Sequence, residues 1–451
     1  MEFLSKITPN RLQKAEKRDK LLALNIVSGI GVRGASMILS LIFVPLVLNY
    51  LTSYKYGIWL TINSVVAWFS MLDIGLTGGL RLKLQEALTI QDYSKSRAYI
   101  STTYGLLILI AIIAEILFSL LIWGIDIDFA SFFKVNSSVQ DELKMVVWIT
   151  ITGFLVRFTL QPISPILLAD QRNFIQSTIL LAENIVNLTG ILILESVSHG
   201  SLIGACSIFS LSPLLVYTIY SIILFSGKYK IIRPSYKYVD RSQIAFLTKF
   251  GIDIFIINIS LILLAQSNNL LITKLFNPNI VTEYNLVYKL FFTFSSLMTL
   301  IMTPLWSAFA NAYNLNDYNW IEKTFKKAQL LFLLFSIIYV MMFFFGSIII
   351  KMWTGMQIDN KGLFFVTLVY FVIQNYMMIY AFLFNGMGII RLQRNMAIYG
   401  AVVNIPVIIF LVKILNIDVS AVLIGNTFAI LPSLIIYPYI AKKRMKLLKK
   451  Q

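Results

Sequence analysis

The chain has 451 residues, 58% of them hydrophobic and only 13% charged, with a formal net charge of +17. Soluble globular proteins carry about 25% charged residues, so this chain cannot cover a water-facing surface of its size and takes the bilayer as its solvent. The basic excess sits in clusters between apolar runs, the pattern of cytoplasmic loops rather than of a nucleic-acid interface. A single cysteine, Cys206, excludes an intramolecular disulfide and a thiolate metal site. A single histidine, His199, in a short loop, argues against a histidine-built catalytic or metal centre.

A basic, polar tail runs to about Lys20. The apolar run after it is longer than the roughly 7–15 residues of a signal-peptide core and lacks an A-x-A cleavage site, so it is expected to be retained as a first membrane helix. At roughly 20 apolar residues per crossing, about twelve spans follow, at 22–50, 56–80, 100–124, 143–168, 174–194, 201–226, 244–274, 280–312, 324–350, 362–385, 396–415 and 419–441. The expected fold is an all-α integral membrane protein. A long basic connection at 228–249 divides it into an N-terminal six-helix lobe, 1–227, and a C-terminal one, 250–451. With six spans each, both halves enter from the same side, and any repeat between them is parallel. No strong sequence repeat accompanies it.

Lysine and arginine set the orientation. The N-terminal tail, the connections near 81–97, 170–172, 228–249, 317–327 and 391–394, and the terminal KKRMKLLKK hold roughly 28 of the 38 basic residues, while the alternate connections hold roughly 7. Both termini are therefore expected in the cytoplasm. No connection exceeds about two dozen residues, which leaves no room for a nucleotide-binding domain on either face.

Charge at membrane depth is the informative signal, because it costs at least about 2.5–3.5 kcal/mol per residue at a helix centre. Arg33, Asp73, Glu115, Arg157, Glu183, Asp253 and Lys289 fall inside predicted spans. At helical rise Arg33 and Arg157 lie about 17 Å from the cytoplasmic end, Glu183 about 14 Å and Glu115 about 22 Å. Two readings stand. The arginines are neutralised by Glu115, Glu183 or Asp73 as packing pairs, or they line a wet cavity and hold an anion such as a phosphate, for which the guanidinium fork is suited. Asp253 and Lys289 lie nearer helix ends and can snorkel. Most tryptophans sit where interfacial belts are expected, but Trp68 and Trp306 lie deeper and could stack on sugars. The G-x-G-x-x-G match at Gly29–Gly34 lies inside a span, where small residues serve helix packing rather than a dinucleotide. Nothing resembles a catalytic triad, a metal cluster or a cytoplasmic D-x-D pair.

The stretch Tyr56–Tyr104 joins one predicted span to the next. Tyr56-Gly57-Ile58-Trp59, the LDIGLTGGLR of Leu72–Arg81, the LQEA of Leu84–Ala87, Asp92 and the YISTTY of Tyr99–Tyr104 resemble the polysaccharide-exporting flippases of bacteria (O-antigen, or Wzx-type, flippases). That family lies within the MATE-like multidrug/oligosaccharidyl-lipid/polysaccharide exporter superfamily. PLWSAFANAY at Pro304–Tyr313, DYNWI at Asp317–Ile321, FNGMG at Phe384–Gly388 and NIPVII at Asn404–Ile409 fit as well. Family members often have Asn where Gly78 stands.

The resemblance implies two six-helix lobes around a central cavity that opens alternately to each side of the inner (cytoplasmic) membrane. The implied cargo is an undecaprenyl-diphosphate-linked oligosaccharide repeat unit of lipopolysaccharide O-antigen or a related polysaccharide. Membrane lipid and other polysaccharide-assembly proteins would be partners. No cofactor is implied, and coupling to protons or sodium is left open. Arg33 and Arg157, with Lys289, Trp68 and Trp306, are the expected cargo contacts. Asp73, Glu115, Glu183 and Asp253 are the expected pairing or ion-coupling carboxylates. Gly75, Gly78, Gly79 and Arg81 would form a cytoplasmic hinge or gate. The rival readings are a multidrug exporter of the same superfamily and, from another class, a membrane oligosaccharide polymerase or ligase.

Overall fold

The computed structural model describes residues 9–125, 127–134, 140–198 and 200–448, and within them all side chains except those of 9–30, 245–254, 261, 307, 314 and 446–448. Among the described residues there is no strand. The helices are α1 (Pro9–Ala67), α2 (Leu76–Thr89), α3 (Tyr93–Gly124), α4 (Phe129–Phe133), α5 (Gln140–Leu160), α6 (Ile163–Ala169), α7 (Asn173–Val197), α8 (Leu202–Ser226), α9 (Ser242–Leu275), α10 (Pro278–Asn314), α11 (Tyr318–Thr354), α12 (Lys361–Gly386), α13 (Ile390–Lys413) and α14 (Ser420–Leu448).

Eleven helical stretches of the described residues are long and apolar enough to cross a membrane. The first contains two crossings, because Thr52 leaves helical geometry at φ 69°, ψ 160°. The side-chain contacts show the reversal. Along α10, Thr282 donates to the Ser53 carbonyl (2.7 Å), Lys289 to that of Ser40 (3.0 Å) and Ser296 to the Met37 sulfur (3.3 Å). Along α9, Thr273 meets Thr61 (2.7 Å) and Asn269 meets Ser64 (2.7 Å). The two arms of α1 therefore run inward from Thr52 as an antiparallel pair, which brings the crossings to twelve, as the composition implies.

Four helix reversals share one backbone solution. Gln91, Gln171, Asn316 and Gly388 take positive φ of 58°, 57°, 57° and 72°. Each donates its N–H to the carbonyl three residues back, and the next residue reaches the carbonyl five back: Asp92 to Ala87, Arg172 to Leu167, Asp317 to Ala312 and Ile389 to Phe384. This is the Schellman stop, which satisfies the orphan carbonyls of a helix end. Asp92 and Asp317 then cap the next helix by accepting from the N–H of Lys95 and Trp320. The four stops follow the second and fourth crossings of each half.

The expected charged loop around 81–97 is thus almost wholly helical. Only Ile90–Asp92 turns, and Lys83 is buried against Glu86 at 2.7 Å. The connection between halves is also shorter than 228–249, since α9 starts at Ser242. It is strapped to α3. Arg97 donates to the Arg233 carbonyl (3.0 Å) and lies 4.0 Å over the Tyr238 ring, while Ser101 and Thr102 receive the N–H groups of Ser235 and Asp240. Asp170 accepts from Tyr229 (2.8 Å) and pairs with Arg172 and Lys228. These contacts gather the 90–92 and 170–172 turns and the connection at one basic end.

Helices pack mainly within their own half: α1 on α7, α5 on α3 and α8, α10 on α11 and α12, α13 on α9 and α14. The halves meet where α1 touches α9 and α10 and where α2 touches α9. At the end opposite the basic one they close tightly. A Cβ built on Gly57 would lie 1.9 Å from the Pro278 carbonyl oxygen, so only glycine allows this approach. Within the N-terminal half, Tyr50 bonds Ser198 (2.8 Å) and Lys55 bonds the Gly200 carbonyl (2.6 Å). Gly57→Val should wedge the halves apart at an overpacking cost of about 1–3 kcal/mol. Thiol labelling of a Thr61→Cys reporter, against the buried Cys206 background, should rise severalfold in the Gly57→Val variant. Unchanged labelling in a normally expressed variant would show that this end does not close through Gly57.

Candidate functional site: a polar cavity between the halves

After residue 67 the second arm of α1 gives way to a 3-10 turn, Trp68–Asp73, and then to two consecutive left-handed residues, Ile74 (φ 48°) and Gly75 (φ 77°). Glycine carries the second at no steric cost. The new helix α2 exposes orphan N–H groups, and Asp73 takes up one of them. One carboxylate oxygen accepts from the Thr77 N–H (3.1 Å) and the other from its hydroxyl (2.6 Å). Asp73 is thus the clasp of a helix break. Of the expected gate residues, Gly75 makes the bend, Gly78 and Gly79 lie inside α2, and Arg81 is exposed. A second break, between Leu160 and Ile163, falls at Gln161-Pro162.

The two breaks face a chamber of about 600 Å³ whose polar lining includes Asp73, Gln161, Ser164, Gln176, Asn258 and Gln266. Nearer the closed end lies a second cavity of about 380 Å³, with Ser40, Trp59, Asn184, Asn187, Asn285 and Lys289 in its wall. The Lys289 ammonium donates to the Ser40 carbonyl, and among the described residues it has no carboxylate at ion-pair distance. The Trp59 indole N–H and the Asn187 amide oxygen are buried without a partner. Buried polar groups in native proteins are satisfied as a rule, by protein, water or ligand, so this wall can bond to something that enters.

The expected charged residues separate into three groups. Arg33 faces α7, donating to Ser177 (3.2 Å) and reaching Gln176 (3.5 Å) of the larger chamber's wall, with no acidic partner among the described residues. Arg157 pairs with Glu183 at 3.2 Å and lies 5.6 Å over the Tyr217 ring, itself part of the chamber wall. This is one of the ion pairs that the sequence allowed. Glu115 belongs to neither cavity. It sits in an outward groove between α3 and α5, because α3 turns that face to the lipid. The side chain of Asp253 lies outside the described residues. Trp68 is half-buried in the 3-10 turn with an unpartnered indole N–H. Trp306 is 45% exposed and follows Lys289, Phe292, Ser296, Thr299 and Thr303 along one face of α10.

Sequence reasoning weighed charges and passed over the amides and Trp59. Asn184, Asn187 and Asn285 stand inside apolar spans, and an amide in a membrane helix is itself a polar group that needs a partner.

No protein-family model and no curated protein sequence matches the chain. Solved structures do. A multidrug resistance MATE family transporter of the MOP superfamily in an inward-facing conformation aligns over 95% of both chains at 15% identity, with a TM-score of 0.69. A MATE structure in a bent conformation gives 0.65 at 13% identity over 95% of both chains. A MATE transporter in an outward-facing conformation gives 0.61 at 14% identity, over 95% of this chain and 96% of that one. The fold is that of the MATE transporters.

The Arg157–Glu183 pair yields a test of structural against cargo roles. Arg157→Ala strands the Glu183 carboxylate and should lower thermal stability. The loss should fall short of the roughly 3–5 kcal/mol of a fully buried pair, since the arginine is 36% exposed. Arg157→Met with Glu183→Leu should restore stability. If activity returns along with it, the pair only packs; if the double variant is stable and inactive, the charges touch cargo.

Proposed function

We propose that the protein is a bacterial polysaccharide flippase, which carries the head group of a polyprenyl-diphosphate-linked oligosaccharide through this cavity from the cytoplasmic to the periplasmic leaflet by alternating access. The observation that supports it is Lys289, a cation without a carboxylate partner in a cavity walled by amides and an indole. Arg33 adds a second cation beside the larger chamber, with no acidic partner among the described residues. Asp73, the carboxylate on the chamber wall, is engaged by Thr77, and Glu183 nearby is opposed by Arg157. The balance suits an anionic head group.

A diphosphate and its sugars cannot enter hydrocarbon unaided. Lys289 and Arg33 supply charge for the phosphates. The amide groups bond sugar hydroxyls, and Trp59 offers a face for a sugar ring. The polyprenyl chain remains in lipid. The lysine and arginine bias assigns the basic end to the cytoplasm of the inner membrane. Asp73 and Glu183 are the carboxylates available for coupling to protons or sodium. The second reading is a multidrug exporter, favoured by the MATE structures and by the presence of Asp73 on the chamber wall. A polymerase or ligase would need a catalytic set that this cavity does not offer among the described residues.

Lys289→Ala and Arg33→Ala should each insert normally yet reduce surface polysaccharide at least tenfold, the loss of a charged hydrogen bond being worth roughly 1.5–3 kcal/mol. Lipid-linked repeat units should accumulate on the cytoplasmic face of these strains, as in a strain lacking the gene. Unchanged polysaccharide in the gene-deleted strain, with raised drug resistance on overexpression, would transfer the assignment to the multidrug reading.

A further inference from the structure

Glu115, an expected pairing or coupling carboxylate, lies on the outside of the structure. Its carboxylate lies in the wall of a groove of about 280 Å³ between α3 and α5. Ile108, Ile112, Ile116 and Val156 also line it and are roughly half exposed, at 44%, 53%, 55% and 44%, with Thr152 and Thr159 as its other polar residues. This is a lipid-facing surface, where an ionisable group is expensive unless it serves something.

The surroundings of the carboxylate are one-sided. One oxygen accepts from Thr152 (2.9 Å) and Ser119 (3.2 Å), and Ser119 in turn receives the Trp148 indole N–H (3.2 Å). Both hydrogen bonds reach the same carboxylate oxygen. No basic side chain pairs with Glu115 among the described residues. Lys144, two turns before Thr152 on α5, instead lies 5.0 Å over the Trp123 ring. The result is a carboxylate without a basic partner among the described residues, in the wall of a largely apolar outward groove.

We propose that this groove is a lipid-side binding site for a single-chain amphiphile with a protonated amine, its ammonium on Glu115 and its chain along the α3 isoleucines. Charge complementarity selects the head group. The volume lies just under the roughly 300–1,000 Å³ of small-molecule sites and takes one chain rather than a two-chain lipid. The site is separate from the cargo cavity and does not rest on the assigned function.

The test uses full-length protein in nanodiscs of zwitterionic phospholipid, titrated with decylamine or decanol brominated on the second carbon. Bromine held beside Glu115 should quench Trp148 and its neighbour Trp123, whose ring lies 6.4 Å away. The amine should quench the wild type at a concentration at least tenfold below the alcohol, and Glu115→Gln should abolish that difference. Equal quenching by the two probes in the wild type, or a preference that survives Glu115→Gln, would overturn the proposal. Should Glu115→Gln fail to accumulate, Ile112→Phe decides instead. It fills the groove and leaves the charge, so the amine preference should vanish, and its persistence would count against the site.

Discussion

In hydrocarbon a backbone group without a hydrogen-bond partner costs several kcal/mol, so a spanning chain is helical wherever it meets lipid and may break only where protein or water takes over. That constraint ties the breaks of this chain to its cavity. Between Trp68 and Gly75 the second crossing unwinds, and Asp73 supplies the acceptor that the restarted helix needs. At Gln161-Pro162 the fourth crossing unwinds, where proline removes an amide N–H that would otherwise need a partner. Both breaks face the same chamber. The carboxylate that the sequence marks as functional and the glycine that it marks as a hinge are therefore two parts of one device: they permit a break, and the break makes the space.

The same constraint explains how two halves without visible sequence similarity share an arrangement. A reversal at the membrane surface must end one helix, begin the next and leave no orphan group. The Schellman stop ends a helix in three residues and recurs at 90–92, 170–172, 315–317 and 387–389, and at the first and third of these an aspartate also caps the next helix. The side chains vary, Gln, Gln, Asn and Gly at the left-handed position, because any residue tolerant of positive φ will serve. A repeat of this kind lives in backbone hydrogen bonds and leaves only faint traces in sequence, here the Asp-Tyr pairs at 92–93 and 317–318.

That difference also separates what was legible in the sequence from what was not. Span number and helix type follow from hydrophobic length, and the structure agrees at twelve crossings once Thr52 is seen to divide α1. Charges at membrane depth were visible, but not their facing. A rise of 1.5 Å per residue gives depth, whereas the direction of a side chain around a helix depends on which neighbours pack there. Glu115 and Arg157 lie at similar depth, yet one faces lipid and the other Glu183. Asn184, Asn187 and Asn285 carry no charge, so they escape a search for charge, although their burial beside Lys289 defines the smaller cavity.

Lys289 also connects occupancy to shape. Its hydrogen bond to the Ser40 carbonyl runs from α10 to the first arm of α1 and so bridges the halves near the closed end. Under the proposed function an anionic head group competes for that same ammonium. A ligand shifts a two-state equilibrium only by its differential affinity for the states, and here the differential has a physical source: binding to Lys289 removes a cross-half bond that belongs to the closed arrangement. The other bonds at this end, Thr282 to Ser53, Thr273 to Thr61 and Asn269 to Ser64, are neutral. Neutral bonds contribute about 1 kcal/mol each against roughly 1.5–3 for a charged one. Loss of the charged bridge is therefore the largest single step by which cargo can loosen the closed end.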